Sequence, residues 1–306
     1  MASVPVGSPF LSARDRYERA MEGWVDNTHP DAFTHTVRLS DPDAAIEVSA
    51  VCTPPPGYEV REARARVVSG SADPTIAADL PGLAGARMVA GFTRRLADLC
   101  GARSGAALFV DAGIEIARLA RQVTKLPASA VAGLDPGDAL ACWQLDTTGW
   151  ADLPDSCFTY SEAGRALFGT RAVSTPMVAT LYSPPPQARG VFTRKKLARL
   201  VLTRPRLHLF HSMHDNVHGF DVHYEVDVED GTVAAADLVT SRLPYSGICS
   251  EPQAKVRSLV GQLVDAGLRK RIQTLIGGSS GCAQLYDLTA DLLKLLSLPS
   301  AIDSSK

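Results

Sequence analysis

The chain has 306 residues, 45% hydrophobic and 21% charged, with a formal net charge of −2. That length and apolar content can bury a substantial core, while the balanced charge lacks the basic footprint of a nucleic-acid-binding domain, so no nucleic-acid partner is expected. No apolar leader opens the chain and no run of about 18 apolar residues follows, which predicts no membrane partner and a cytoplasmic protein.

In chain order, "SARDRYERAMEGWV" spaces Tyr17, Ala20, Met21 and Trp24 as on one face of an amphipathic helix, predicting a helical extension over residues 1–30. Residues 31–182 form a first repeat with a C-terminal extension. The proline-rich "YSPPPQARG", residues 182–190, marks a linker over 183–190, and residues 191–300 form a second repeat. The tail after Leu298 is short and polar.

The repeats rest on self-similarity. Leu83 to Asp111 and Leu259 to Asp287 agree without a gap at 11 of 29 positions, including Gly91/Gly267, Arg95/Arg271, Gly105/Gly281 and Asp111/Asp287. Upstream, "SDPDAAIEVSAVCTPPPG" lies over "HDNVHGFDVHYEVDVEDG". In the latter, Phe220, Val222, Tyr224, Val226 and Val228 alternate as in a half-buried strand between the hairpin signals "DN" and "DG". The expected fold is α+β: a tandem duplication of two related repeats, each a three-stranded antiparallel meander covered by helices.

A residue present in one copy alone is not demanded by the shared scaffold. The loop "GGSSGC" precedes an apolar-striped helix, and its counterpart "GARSGA" has Ala106 where Cys282 stands. The recurring Gly101, Gly105, Gly277 and Gly281 predict a positive φ or a close backbone approach in each loop. Cys282 itself suits either a small buried hydrophobe or a thiolate activated at a helix N-terminus.

Five of seven histidines fall in "HLFHSMHDNVHGFDVH", residues 208–223, and His211, His214, His218 and His223 lie over Val37, Ser40, Ala44 and Ser49. A turn centred on Asp215 and Asn216 would face His211 with Phe220, His218 with Met213, and His208 with His223. Imidazole and thiolate suit zinc, so His211, His218, Cys249 and Cys282 form a candidate metal set, with zinc the candidate cofactor. Ordinary strand pairing is the alternative account of the same histidines. The six cysteines lack CxxC spacing, predicting free thiols or isolated ligands.

His218, Asp227, Pro244, Tyr245, Cys249, Leu259, Gly261, Gly281 and Cys282 together resemble the motif of the bacterial domain-of-unknown-function family 2889. "LPDSCFTY", carrying Cys157, resembles a further cysteine element of that family. Gln284 stands where relatives usually carry His, and "HGF" replaces a usual His-Asp pair, so any chemistry those groups carry is altered here. A weaker resemblance, to iron–sulfur scaffold proteins of the NifU type, implies metal or sulfur handling.

"TRKKLARLVLTRPR", residues 193–206, carries six basic residues and no acid, which suits a solvated strand edge or the seat of an anionic group. No Walker loop, GxGxxG, GxSxG or HExxH is present. The expectation is a small-molecule enzyme with hydrolytic or lyase chemistry on an apolar carboxylated or thioester substrate. Its site would lie in the second repeat, with Cys282, His218 and Arg271 as catalytic residues, Arg271 clamping an anion. The alternative is a non-catalytic metal, iron–sulfur or small-molecule scaffold.

Overall fold

A computed structural model describes residues 6–11 and 14–296; the polar tail after Leu298 lies outside the described residues. Eight strands form one sheet: β1 (Arg16–Asp26), β2 (Phe33–Ser40), β3 (Ala44–Cys52), β4 (Val60–Gly70), β5 (Phe192–Thr203), β6 (Arg206–Asp215), β7 (Gly219–Asp227) and β8 (Val233–Arg242). Their order is β4-β3-β2-β1-β5-β6-β7-β8. This corrects the expectation of two separate three-stranded meanders.

Sequence reading took β1 for a helix and β5 for a solvated strand edge, and polar residues at inward positions are the cause in both. In β1, Tyr17, Met21, Gly23 and Val25 are buried in alternation, but the inward positions include Gly23 and the ion-paired Arg19, which hide the period of two. Tyr17, Ala20, Met21 and Trp24 mimic a helix by coincidence, so where the helical extension over 1–30 was expected, Arg16–Asp26 form a strand. In β5, the buried Arg194 and Lys196 do the masking, and the basic segment is an internal strand, not an exposed edge.

Nine helices accompany the sheet among the described residues: α1 (Pro74–Asp79), α2 (Phe92–Cys100), α3 (Ala106–Ala120), α4 (Ala128–Val131), α5 (Ala139–Gly149), α6 (Glu162–Ala166), α7 (Ala179–Tyr182), α8 (Leu268–Ile276) and α9 (Ala283–Leu293). The helices α2 and α8 stand 176 positions apart at both ends, the offset of the ungapped sequence match. Each follows four strands in the chain.

The chain divides into two compact units whose boundaries cut through β1 and β5. Unit 2 comprises Arg19–Asp152 and Met177–Lys195. In it, α3 packs on β2 and β3 through an apolar stripe including Leu108, Phe109, Ala112 and Ile116. Unit 1 holds the described residues up to Glu18 together with Leu153–Pro176 and Lys196 onward. Its core sets Leu207, Leu209, Phe220, Val222, Tyr224 and Val226 against Ile272, Ile276, Leu285, Leu288 and Leu292. The segment Leu153–Pro176, which the sequence reading joined to the first repeat, is part of this unit.

Both glycine-rich loops carry the expected backbone constraint, by different routes. Gly105 has φ 74°, and a Cβ there would stand 2.6 Å from that of Ala72. Gly281 has an ordinary extended φ, but an added Cβ would collide with the Ile276 carbonyl oxygen.

Candidate functional site

The β6–β7 hairpin turns on Asn216 and Val217, since Asp215 N–H donates to the His218 carbonyl at 2.9 Å. The register is two residues off the expected one. His211 pairs with Val222, Met213 with Phe220, His208 with Glu225, and His223 with Phe210. A two-residue change preserves faces, so His211 still points into the core. His218 falls in the turn, outside the paired positions.

That displacement gives His218 its partner. Asp215 Oδ1 accepts from the amides of Val217 at 2.8 Å and His218 at 2.6 Å, fixing the turn. The Nδ1 of His218 lies 3.1 Å from Asp215 Oδ1 and 3.2 Å from Oδ2. Asp215's side chain is 0% exposed and that of His218 11%. Arg242 donates to the Asp215 backbone carbonyl, tying β8 to the turn. An ionised carboxylate only accepts, so facing Asp215 the Nδ1 is the nitrogen that donates, and in that tautomer the lone pair lies on Nε2. The arrangement is that of a base oriented by a buried acid.

Three cysteines from separate stretches of unit 1 lie within electrostatic range of one another. Cys157 precedes a short 3-10 turn, Phe158–Tyr160. The Phe158 amide donates to the Gly281 carbonyl at 2.9 Å, joining this loop to the one before α9. Cys249 follows β8, its Sγ 2.9 Å from Thr159 Oγ1. Cys282 caps α9, and the Gln253 side chain reaches both its thiol and the Cys249 carbonyl. All three are free thiols.

Burial pushes the Cys282 thiol up to about 12, with coupling to the Cys157 thiol adding to it; the amides of Leu285 and Gln284 and the Gln253 side chain oppose only in part. Burial also raises Cys157 and Cys249. Cys157 and Cys282 keep some accessible surface as residues, but the protein around each thiol dominates. The helix N-terminus therefore does not produce the thiolate expected at Cys282, which is protonated at neutral pH in the isolated chain.

The strand β6 and the helix α9 pack side by side and run in opposite directions, so the turn after β6 and Cys282 before α9 lie toward the same end of that pair. Leu209 and Val226 line a core cavity with Leu292, Leu293 and Leu296, and two residues further along β6 His211 Nδ1 meets the Leu288 carbonyl at 2.8 Å. Continuing in that direction, β6 reaches Asp215 in about 13 Å. The helix α9 reaches Cys282 in about 9 Å. Cys249 follows Arg242, the partner of Asp215, by seven residues.

Other expected site residues are engaged elsewhere. His211 is held by the Leu288 carbonyl, and Arg271 by the Leu263 carbonyl and Asp265 Oδ1, the latter at 2.8 Å. The guanidinium thus fastens the turn before α8. Among the described residues no group of three or more His, Cys, Asp or Glu side chains is arranged to hold a metal ion, so His211, His218, Cys249 and Cys282 do not assemble as drawn from sequence. Sequence reading left out Asp215, Thr159 and Gln253, and cited Cys157 only through a resemblance. The signal for Asp215 was present in "HDNVHG", an aspartate three residues before a histidine inside a turn.

Residues 204–296 match a family model described as "Protein of unknown function (DUF2889)". The match covers less than half of the chain; it includes Asp215, His218, Cys249 and Cys282 and leaves out Cys157. No curated protein and no solved structure matches the chain. No helix among the described residues is long and apolar enough to cross a membrane.

Proposed function

We propose that the end of unit 1 around His218 is the acid–base site of a small-molecule enzyme with hydrolytic or lyase chemistry. The observation that carries this reading is the pairing of His218 Nδ1 with the buried Asp215 carboxylate, which leaves Nε2 as the proton acceptor. In hydrolysis of a thioester, His218 takes a proton from water as its oxygen adds to the acyl carbon, then returns it to the departing sulfur. Asp215 stabilises the imidazolium between the two transfers. Cys282 serves as a neutral thiol near the reacting group, and the substrate is an apolar carboxylated compound or thioester.

The test is thiol release from a panel of short acyl thioesters by wild type, His218→Gln and Asp215→Asn. Wild-type turnover with a loss of about 10²-fold or more in His218→Gln is expected. Equal rates in both would remove the reading.

One observation favours a second reading: three thiols converge from distant stretches of the chain. In that reading Cys157, Cys249 and Cys282, which the structure does not hold in metal-binding positions, move together onto a soft metal ion or an iron–sulfur precursor, giving a non-catalytic scaffold. Stoichiometric metal in protein purified without a His tag, lost in Cys157→Ala, would favour it. We also propose that the halves descend from a duplicated unit, on the strength of the 11 identities in 29 positions and the matched helix pair α2 and α8.

A further inference from the structure

A pocket in unit 2 has no role in the site above. It is lined by Asn27, His29, Pro30, Lys125, Leu126, Ser183, Pro184 and Pro186. Its walls are fixed before any ligand arrives. Asn27 Nδ2 donates to the carbonyls of Pro184 and Pro185, both at 2.9 Å, and its backbone amide donates to Ala188 at 2.8 Å. Leu126 N–H donates to the Tyr182 carbonyl at 2.9 Å. Prolines in two of the three contributing segments restrict the backbone further.

The charge inside is unbalanced. Lys125 Nζ donates to Asn27 Oδ1 and to the His29 carbonyl, the latter at 2.7 Å, and stands 4.5 Å above the Phe33 ring. Its partners are all neutral, and no carboxylate lines the cavity. The nearest acid acting on it, Asp31, is held by Arg61 through two bonds of 2.7 and 2.6 Å. Burial lowers the pKa of Lys125, with Asp31 opposing in part. An anion entering the pocket would therefore meet an ammonium that makes no ion pair, with His29 and Ser183 on the same walls.

We propose that this pocket binds a small organic carboxylate, its charged end on Lys125 Nζ and its apolar part against Pro30, Leu126, Pro184 and Pro186. A single cation suits a monoanion better than a phosphate dianion, which draws several charged donors. The apolar walls select an acid with a hydrocarbon portion over an inorganic ion.

Titration of the ¹⁵N-labelled full chain with sodium propionate at constant ionic strength tests this. Saturable shifts at Asn27 and Ser183 in about the low-millimolar range are expected. Propionamide, the uncharged isostere, should bind at least about tenfold more weakly to the same wild-type protein. Inorganic phosphate should also bind less tightly than propionate. Lys125→Gln should lose the propionate response while keeping the remaining spectrum dispersed. Non-saturating shifts, equal binding of the amide, or tighter binding of phosphate would each overturn the proposal. The wild-type comparison stands even where Lys125→Gln does not fold.

Discussion

His218 and Asp215 meet within one turn: the imidazole Nδ1 lies 3.1 and 3.2 Å from the two oxygens of a carboxylate that is 0% exposed. The same carboxylate accepts two turn amides, so orienting the ring and shaping the hairpin are one task.

Asp215 variants separate these roles. Asp215→Asn keeps an oxygen for the amides but loses the charge, and should leave the fold in place while lowering turnover by about 10²- to 10⁴-fold. Asp215→Ala removes the acceptor of buried donors and should destabilise the chain by about 1–3 kcal/mol. Thermal unfolding alongside thioester turnover distinguishes the two, and wild-type turnover in Asp215→Asn would deny the carboxylate an electrostatic role.

The thiols should be unreactive in the folded chain. With Cys282 pushed up to about 12 by burial, and Cys157 and Cys249 also raised, a thiol-specific chromogenic reagent at pH 8 should modify them far more slowly than after denaturation. Rapid modification of Cys282 in native protein would show an activated thiolate and revive the nucleophile reading.

Unit 2 contains an acid-sensitive point. His35 is buried in β2, neither ring nitrogen makes a hydrogen bond of good geometry, and burial lowers its pKa from 6.5 to about 4, with the backbone at Ala50 and Phe33 offsetting part of the loss. Above pH 6.5 the ring is neutral folded and unfolded, so it adds no pH dependence there. As pH falls from 6.5 towards 4 the unfolded chain takes up the proton first, and stability drops by about 1.4 kcal/mol per pH unit. His35→Leu should flatten that slope in denaturant titrations at pH 7, 6 and 5; an unchanged slope would place the acid sensitivity elsewhere.

Gly281→Ala should destabilise the chain by more than the ~1 kcal/mol ordinarily lost at a glycine, because the added Cβ strikes the Ile276 carbonyl oxygen and not a movable side chain. It should also disturb the Phe158-to-Gly281 hydrogen bond and accelerate thiol modification. A neutral effect on both would mean that the loop relaxes freely.

What the sequence exposed follows physical visibility. The strand β7 was legible because Phe220, Val222, Tyr224 and Val226 all face inward without a polar interruption. The strand β1 was not, and β5 was read as a solvated edge and not an internal strand, because Arg19, Arg194 and Lys196 occupy inward positions that pattern reading assigns to apolar residues. The Cys282 loop was singled out through its Ala106 counterpart. Its association with Cys157 spans more than a hundred positions and rests on a backbone bond to Gly281, which no local pattern records. His218 was also singled out, but a register two residues off concealed that the Asp215 carboxylate is what its Nδ1 meets.

The tautomer of His218 tests the central claim most directly. Long-range ¹H–¹⁵N correlation spectra of the labelled protein at pH 8, assigned with His218→Gln, should show a proton on Nδ1 and an unprotonated Nε2, with Asp215→Asn weakening that preference. A neutral His218 protonated at Nε2, or one exchanging freely between tautomers, would contradict the account.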